Sequence, residues 1–353
     1  MDLYQNGLRL GYTTGSCAAG ASLAAALLLE DDLRDNIKLM TPAGIELDLK
    51  VYDLHKEGEW AVAAIKKDAG DDEDATDGAL IYSKLRKKKG QTTIDGGEGI
   101  GIITKKGLFG KIGEKAINPT PRKMILDALN LVSDDSYEVV IYVPNGNEIA
   151  KRTYNENMGI VGGISIIGSS GIVYPMSEDA LLKTIELDIN VNKAEYGLDK
   201  GILLVPGNYG EKMKSKYNID MPHAQMSNFI GEALKYAYKA GYKKIYLLGH
   251  IGKFSKLSLG IFNTHSKNSD TRMEAFVYYL FMIDAPREFI LKISNLNTAE
   301  EAMNICIDAG YEKAINLMES GASDRIKKYL KDEDIEVKVM IYSMEKGLIK
   351  ELS

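Results

Sequence analysis

Cysteine, tryptophan, histidine and proline are scarce: the 353 residues hold 2, 1, 4 and 8 of them. Cys17 and Cys306 allow at most one intrachain bridge, which excludes a secreted disulfide framework and suits reduced thiols in the cytoplasm. His223, His250 and His265 carry no zinc spacing, so no protein-bound metal is expected. Basic excess is lacking too. Lys and Arg number 44 against 50 Asp and Glu, a formal net charge of −6, and such a balance supplies no overall field for nucleic acid. No apolar run suits a membrane: the strongest, Ala18 to Leu29, is 12 residues where a spanning helix needs about 20. Asp2 and the polar Thr13 to Ser16 stretch argue against a signal sequence. The second uncharged stretch, Asn157 to Ser177, is broken by Gly159, Gly162, Gly163, Gly168, Gly171 and Pro175, which fits turns and close packing.

What is present suffices for a large core: 45% of residues are apolar and 27% charged. At roughly one domain per 150 residues the length predicts two. In the first half, Ala18 to Leu29 predicts a buried helix. Ile37 to Met40 and Ile45 to Leu54 predict a hairpin around Thr41-Pro42-Ala43-Gly44. A strand over Trp60 to Ile65 follows, then a helix over Gly78 to Lys88 capped by Asp77, and another from Pro121 to about Leu131. Asn145-Gly146 between Tyr137 to Val143 and Glu148 to Tyr154 signals a second hairpin. The last half changes character. Strand Ile202 to Val205, a helix near His223 to Ala240 and strand Lys243 to Leu248 form a βαβ-like series. A helix over Asp270 to Asp284, three shorter ones up to Leu330 and strand Ile335 to Tyr342 complete it. The expected fold is an α+β two-domain protein, with a strand-rich α+β domain over residues 1–197 and a Rossmann-like α/β domain over 198–353. A helix from Ser177 to about Ile189 would bridge them, and apolar helix faces leave a homo-oligomer open.

Several segments can carry chemistry. Gly11 to Cys17 precedes the Ala-rich helix, so Thr13, Thr14 and Ser16 can either cap it or hold an anion at its start. Cys17 there is either a lowered-pKa nucleophile or a buried thiol. The ten positions from Asp68 hold five Asp and one Glu, and their repulsion calls for a cation, a lysine or solvent. Val205 to Gly210 and Gly249 to Phe254 both follow strands, where open sheets place ligands. Neither is a complete nucleotide motif: the first lacks G-x-G-x-x-G and the second lacks the upstream Gly and the Ser or Thr of a phosphate loop. His265, between Thr264 and Ser266, can act as a base or a cap. Lys253, Lys256, Lys267 and Arg272 cluster in the same region and can face an acidic ligand.

Together these segments resemble the cobalt-precorrin-5B C(1)-methyltransferase family of anaerobic cobalamin synthesis. The resemblance rests on Gly11 to Ala18, Lys67 to Thr76, Asp95-Gly96-Gly97 with Gly99, Gly113-Glu114 with Ala116 to Arg122, Gly162 to Met176, Val205 to Gly207 and Gly249 to Ser266. Glu73 departs from the family, which usually has Pro there.

The resemblance implies methyl transfer from S-adenosylmethionine to carbon 1 of cobalt-precorrin-5B, giving cobalt-precorrin-6A, with cobalt belonging to the substrate. The position of the loops after strands, with their ionisable side chains, places the donor near Pro206, Gly207, Asn208, Gly249 and His250, and the polycarboxylate macrocycle in a cleft toward the first domain. Thr13, Thr14, Ser16, Arg122, Lys253, Lys256, Thr264, Ser266, Lys267 and Arg272 are then substrate contacts, and Asp68, Asp71 and His265 are candidate proton acceptors. Two other classes compete. A phosphotransferase predicts magnesium-dependent ATP turnover, and a non-catalytic corrinoid-binding protein predicts macrocycle binding without donor binding.

Overall fold

The computed structural model describes residues 3–348. The chain forms two compact units, Met1–Ser177 and Glu178–Ser353. The division falls ahead of the helix Glu178–Tyr196 rather than after residue 197. That helix packs on the helix Ile230–Ala240 and the strand His223–Gln225, and its Ile185 and Ile189 belong to the second unit's core. No helix among the described residues is long and apolar enough to cross a membrane.

In the first unit a six-stranded sheet runs in the order Asn36–Met40, Glu46–Glu57, Trp60–Lys66, Leu80–Lys88, Ser136–Tyr142, Thr93–Gly96. Neighbours are antiparallel except the last pair, which is parallel. Alternation sets its covered face: Ile37, Leu39, Leu47 and Leu49 are buried while the residues between them are exposed. The helix Thr14–Leu29 lies on this face. It is apolar all round and carries no charged residue, so it must be enclosed on every side. Only Leu27 and Leu29 of it escape full burial, and it packs on the sheet and on the helix Pro119–Asn130. Gly20 sits on it where an added Cβ would press on Leu49, Ile37 and Ile65.

Two sequence expectations fail in this unit. Gly78 to Lys88 is not a helix but the strand Leu80–Lys88, because Ile81, Ser83 and Leu85 are buried while Tyr82, Lys84 and Arg86 are half-exposed, a period of two. Lys84 and Arg86 on the opposite face pair with Glu57 and Glu138. Asp77 caps no helix; its carboxylate accepts the Ala69 N–H at 2.8 Å. Asn145-Gly146 forms no hairpin either. Asn145 is left-handed at φ 61° and leads into the short helix Gly146–Ala150, while strand Ser136–Tyr142 pairs with Leu80–Lys88 and Thr93–Gly96. What Gly146 supplies is clearance, since a Cβ there would overlap the backbone of Gly99. Gly163 approaches Gly99 equally closely, and Gly99 itself sits at φ 70° against the Val143 carbonyl. Hydrogen bonds from Ile164 N–H to Gly99 O and from Gly101 N–H to Ile164 O, both 2.9 Å, lock this crossing.

In the second unit the sheet order is His223–Gln225, Ile202–Val205, Lys244–His250, Glu336–Ser343, Gly347–Leu348. The first four strands are parallel and the last is antiparallel. Counted along the chain this is 2-1-3-4-5, so the order reverses between Ile202–Val205 and Lys244–His250. Parallel strands covered on both faces read as unbroken apolar runs, and Ile202, Leu203, Leu204 and Val205 are all fully buried. Leu203 and Val205 pack with Met213 of the helix Asn208–Lys216, while Ile202 and Leu204 face the cluster that includes Ile230, Phe254 and Ile326. The region expected as one helix near His223 to Ala240 is therefore a short strand followed by a helix. Met226 N–H bonds the Val205 carbonyl at 2.8 Å and carries the pairing one residue beyond the strand.

Gly99→Ala combines a left-handed φ with overlap on a carbonyl and is expected to cost about 3 kcal/mol or more. Gly113→Ala, at φ 91° with no neighbour near the new Cβ, is expected to cost about 1 kcal/mol. Thermal melts of the two variants compare them directly, and equal losses would contradict the crossing as the reason for glycine.

Candidate functional site

Residues singled out from sequence gather in two places, one in each unit. The first is the start of the helix Thr14–Leu29. Thr13 is its N-cap, accepting the Ser16 N–H at 3.2 Å, so Ser16 is free to donate to the Gly171 carbonyl at 2.7 Å. Thr14 accepts the Ile167 N–H at 2.9 Å, and the Gly15 N–H reaches the Ile167 carbonyl. Strand Ile172–Val173 pairs with Gly11–Tyr12 just ahead of the helix. The Thr14 and Ser16 hydroxyls are thus committed to holding the Gly162 to Gly171 segment around the helix start, and the Thr13 hydroxyl to capping the helix.

The acidic loop closes the other side of this start. Tyr12 N–H bonds the Asp68 carbonyl, and a Cβ on Gly11 would overlap Ala69. Arg9 grips Asp68 with both terminal nitrogens, at 2.6 and 2.8 Å, and donates its own N–H to Asp71 at 2.7 Å. Lys67, only 2% exposed, pairs with Asp74 at 3.0 Å. The repulsion within the run is therefore relieved by Arg9, Lys67 and backbone N–H groups. The Arg9 guanidinium holds the Asp68 carboxyl below its ordinary value, which makes it a weak proton acceptor. Burial pushes the Cys17 thiol up to about 12, so the nucleophile reading of that residue fails. Arg122 spends Nε on the Ile117 carbonyl and Nη1 on that of Ile94, at 3.0 and 2.7 Å.

The second place is the carboxyl edge of the parallel sheet, at the reversal of strand order where open sheets bind ligands. Val205 leads into Pro206 and Gly207; Gly207 has φ 137°, and no atom lies within 4 Å of where a Cβ would stand. It begins the helix Asn208–Lys216 without any side-chain cap, so first-turn amides there are left for a ligand. The side chain of Asn208 lies outside the described structure. Gly249 serves packing instead: its missing Cβ makes room for the Phe254 ring. His250 caps the helix Ile251–Ser258, its Nδ1 accepting the Gly252 N–H at 3.1 Å, while Nε2 sits 2.6 Å from the Glu300 carboxylate. The ring proton is accordingly on Nε2, and both nitrogens are engaged. Burial raises Glu300, but the N–H groups of Glu345 and Met344 together with the His250 ring outweigh it and leave the carboxyl below its ordinary value.

From the same helix Lys253 reaches the Ser227 carbonyl at 3.4 Å, and Lys256 donates to the carbonyls of Thr264 and Ser269 at 3.2 and 2.6 Å. Thr264 is buried, whereas His265, Ser266 and Lys267 are exposed on the loop beyond it. His265 Nδ1 accepts the Lys267 N–H at 3.1 Å. Arg272 is held by Asp270 at 2.6 and 3.0 Å. Among the described residues no group of three or more His, Cys, Asp or Glu side chains is placed to hold a metal ion.

Residues 1–175 match the family model described as CbiD, and residues 263–351 match the model of the CbiD C-terminal domain. The cobalt-precorrin-5B C(1)-methyltransferase of Alkaliphilus oremlandii is 54% identical over 343 residues, covering 97% of this chain and 96% of that protein. The enzyme of the same name from Treponema denticola is also 54% identical, over 351 residues and the same shares of each chain. The chain belongs to the CbiD family. A crystal structure of the cobalamin biosynthesis protein CbiD from Archaeoglobus fulgidus is 27% identical, covers 75% of this chain and 84% of that one, and superposes with a TM-score of 0.42.

In this CbiD chain the sequence reading missed Arg9, Glu300 and Ser227. Arg9 and Asp68 are 59 positions apart, and Glu300 is 50 from His250, so neither pairing leaves a local signal. Ser227 is betrayed only by its backbone, a non-glycine residue at φ 51°.

The Arg9–Asp68 pair makes a pH-dependent contribution with a definite sign. Because the folded Asp68 value is lowered, the stabilisation is present above the unfolded value of about 3.9 and is lost as pH falls through the lower folded value. Arg9→Met is expected to flatten the acid limb of the melting temperature below about pH 4. A limb as steep as in the wild type would contradict the pairing.

Proposed function

We propose that the chain is a methyltransferase that methylates carbon 1 of cobalt-precorrin-5B to form cobalt-precorrin-6A in anaerobic cobalamin synthesis, with S-adenosylmethionine as donor. The observation that carries this reading is the 54% identity with cobalt-precorrin-5B C(1)-methyltransferases across 97% of the chain. We read the second unit as Rossmann-like on its 2-1-3-4 parallel order, and place the donor at the carboxyl edge by Pro206, Gly207, Asn208 and His250. The open, left-handed Gly207 and the uncapped amides after it fit a bulky polar ligand. When bound, the donor supplies the methyl group: its carbon–sulfur bond breaks as the ring carbon's electron pair forms the new carbon–carbon bond, and one proton leaves the macrocycle.

The protein's part is alignment. Holding two ligands in line converts a two-body encounter into an intramolecular step, an effect large enough to need no strong base. The His250 and Glu300 pairing fixes the junction between strand Lys244–His250 and helix Ile251–Ser258, which serves that purpose. Of the three proton acceptors considered, Asp68 is bound by Arg9 and His265 Nδ1 accepts the Lys267 N–H. Asp71, exposed and bonded through one oxygen to the Arg9 N–H, retains the other for a proton. Macrocycle carboxylates suit Lys267 and Arg272, the basic groups beyond Thr264, whereas Lys256, buried and bonded to two carbonyls, holds the loop in place. Two buried thiols, Cys17 and Cys306, each unpaired, accord with a cytoplasmic enzyme.

Incubation with cobalt-precorrin-5B and methyl-labelled S-adenosylmethionine is expected to place the label on carbon 1. Label at another ring position, or none in the macrocycle, would reject the assignment. In single turnover Asp71→Asn is expected to slow transfer by about tenfold or less, alignment being the larger effect. A loss of a thousandfold would show that proton removal dominates instead.

A further inference from the structure

We propose that Lys253, with the Thr264 hydroxyl beside it, forms a carboxylate-binding subsite at the edge of the second unit's sheet. The inference rests on the methyltransferase reading, in which donor and macrocycle both carry carboxylates. Its geometry comes from the sheet order. Lys253 stands on the helix that follows strand Lys244–His250, and its ammonium reaches Ser227, just beyond strand His223–Gln225. Strand Ile202–Val205 lies between those two strands, so the side chain crosses the carboxyl end that leads into Pro206 and Gly207.

What sets this lysine apart is an ammonium half out of water with one long hydrogen bond and no ion pair among the described residues. Lys256, one turn along, is satisfied by two carbonyls. Burial first, and Lys256 second, lower the Lys253 value below that of an ordinary lysine, and no nearby carboxylate opposes them. A desolvated charge without a counter-ion destabilises the protein that holds it, and an anionic ligand removes that cost. Thr264 gives a second, independent sign. It is 3% exposed, and its Oγ1 has no partner among the described residues. Its N–H bonds the carbonyl of Asn228, the residue next to Ser227, and its own carbonyl accepts from Lys256. Thr264 is thus tied to Asn228, next to the Ser227 carbonyl that Lys253 touches, and its hydroxyl keeps a donor to spare. Ser227 turns through φ 51° at this point, a conformation unfavourable for a non-glycine residue.

Calorimetric titration of the full chain tests the subsite without turnover. The ligands are S-adenosylhomocysteine, 5′-methylthioadenosine, which lacks the amino-acid end, and cobalt-precorrin-5B. Lys253→Met is expected to weaken one carboxylate ligand about tenfold to hundredfold, Lys253→Arg to restore most of that, and Thr264→Val to weaken the same ligand less. If the donor supplies the carboxylate, S-adenosylhomocysteine weakens while 5′-methylthioadenosine does not. If the macrocycle supplies it, cobalt-precorrin-5B alone weakens. Unchanged affinity for every ligand in Lys253→Met and Thr264→Val, with or without loss of turnover, overturns the proposal. A wild type that binds neither S-adenosylhomocysteine nor cobalt-precorrin-5B overturns the methyltransferase reading itself and this inference with it.

Discussion

The enclosure of an uncharged helix start by backbone is the constraint from which the first unit follows. A helix as apolar as Thr14–Leu29 cannot present a face to water, so sheet, neighbouring helix and glycine-rich loops must all close on it. Closing on its amino end demands backbone at van der Waals contact, hence Gly11 against Ala69, Gly15 against Pro121 and Gly171 against Thr41. Thr13, Thr14 and Ser16 then satisfy the polar groups that such packing buries. The acidic loop is part of the same enclosure, with Arg9 paired to Asp68 and Lys67 to Asp74 while Asp71, Glu73 and Asp77 face solvent.

The second unit follows the opposite rule at its carboxyl edge. Where the first unit pairs its charges and hydroxyls internally, this edge keeps a lysine without an ion pair, a threonine hydroxyl without a partner and an open glycine before an uncapped helix. Natural proteins satisfy buried polar groups, so residues that stay unsatisfied together are a sign of what they bind. His250 and Lys256 there are tied, the first through Glu300 and Gly252 and the second through the Thr264 and Ser269 carbonyls, and they stiffen the edge rather than open it. The same contrast explains why the formal charge of −6 says little about ligand choice: the cations that matter are the few left without carboxylates.

Much of the fold was legible because its signals are local. The uninterrupted apolar run at Ile202 to Val205 and the alternation over Ile45 to Val51 correspond directly to a covered parallel strand and a half-covered antiparallel one. The failures share one cause. Leu80–Lys88 also alternates, but Asp77 ahead of it suits a helix cap and its basic residues suit a last helical turn; only the pairing of Lys84 and Arg86 with Glu57 and Glu138 from other strands shows those two on one sheet face. Asn145-Gly146 has the composition of a hairpin turn, yet the glycine answers to Gly99, distant in sequence. At the candidate site the loops after Val205 and Leu248 were readable from their place after strands. The Thr13 cap is local and was readable, but the commitments of Thr14, Ser16 and Asp68 were not, because each partner lies more than 50 positions away.

The central claim is that the donor binds at the carboxyl edge of the second unit's sheet, while the helix start of the first unit is structural. A crystal structure of the protein with S-adenosylhomocysteine tests it most directly. The account predicts the ligand against Pro206, Gly207 and the strand-to-helix junction at His250. Density for it at Thr13 to Ser16, with the Gly171 and Ile167 hydrogen bonds broken, would contradict the account.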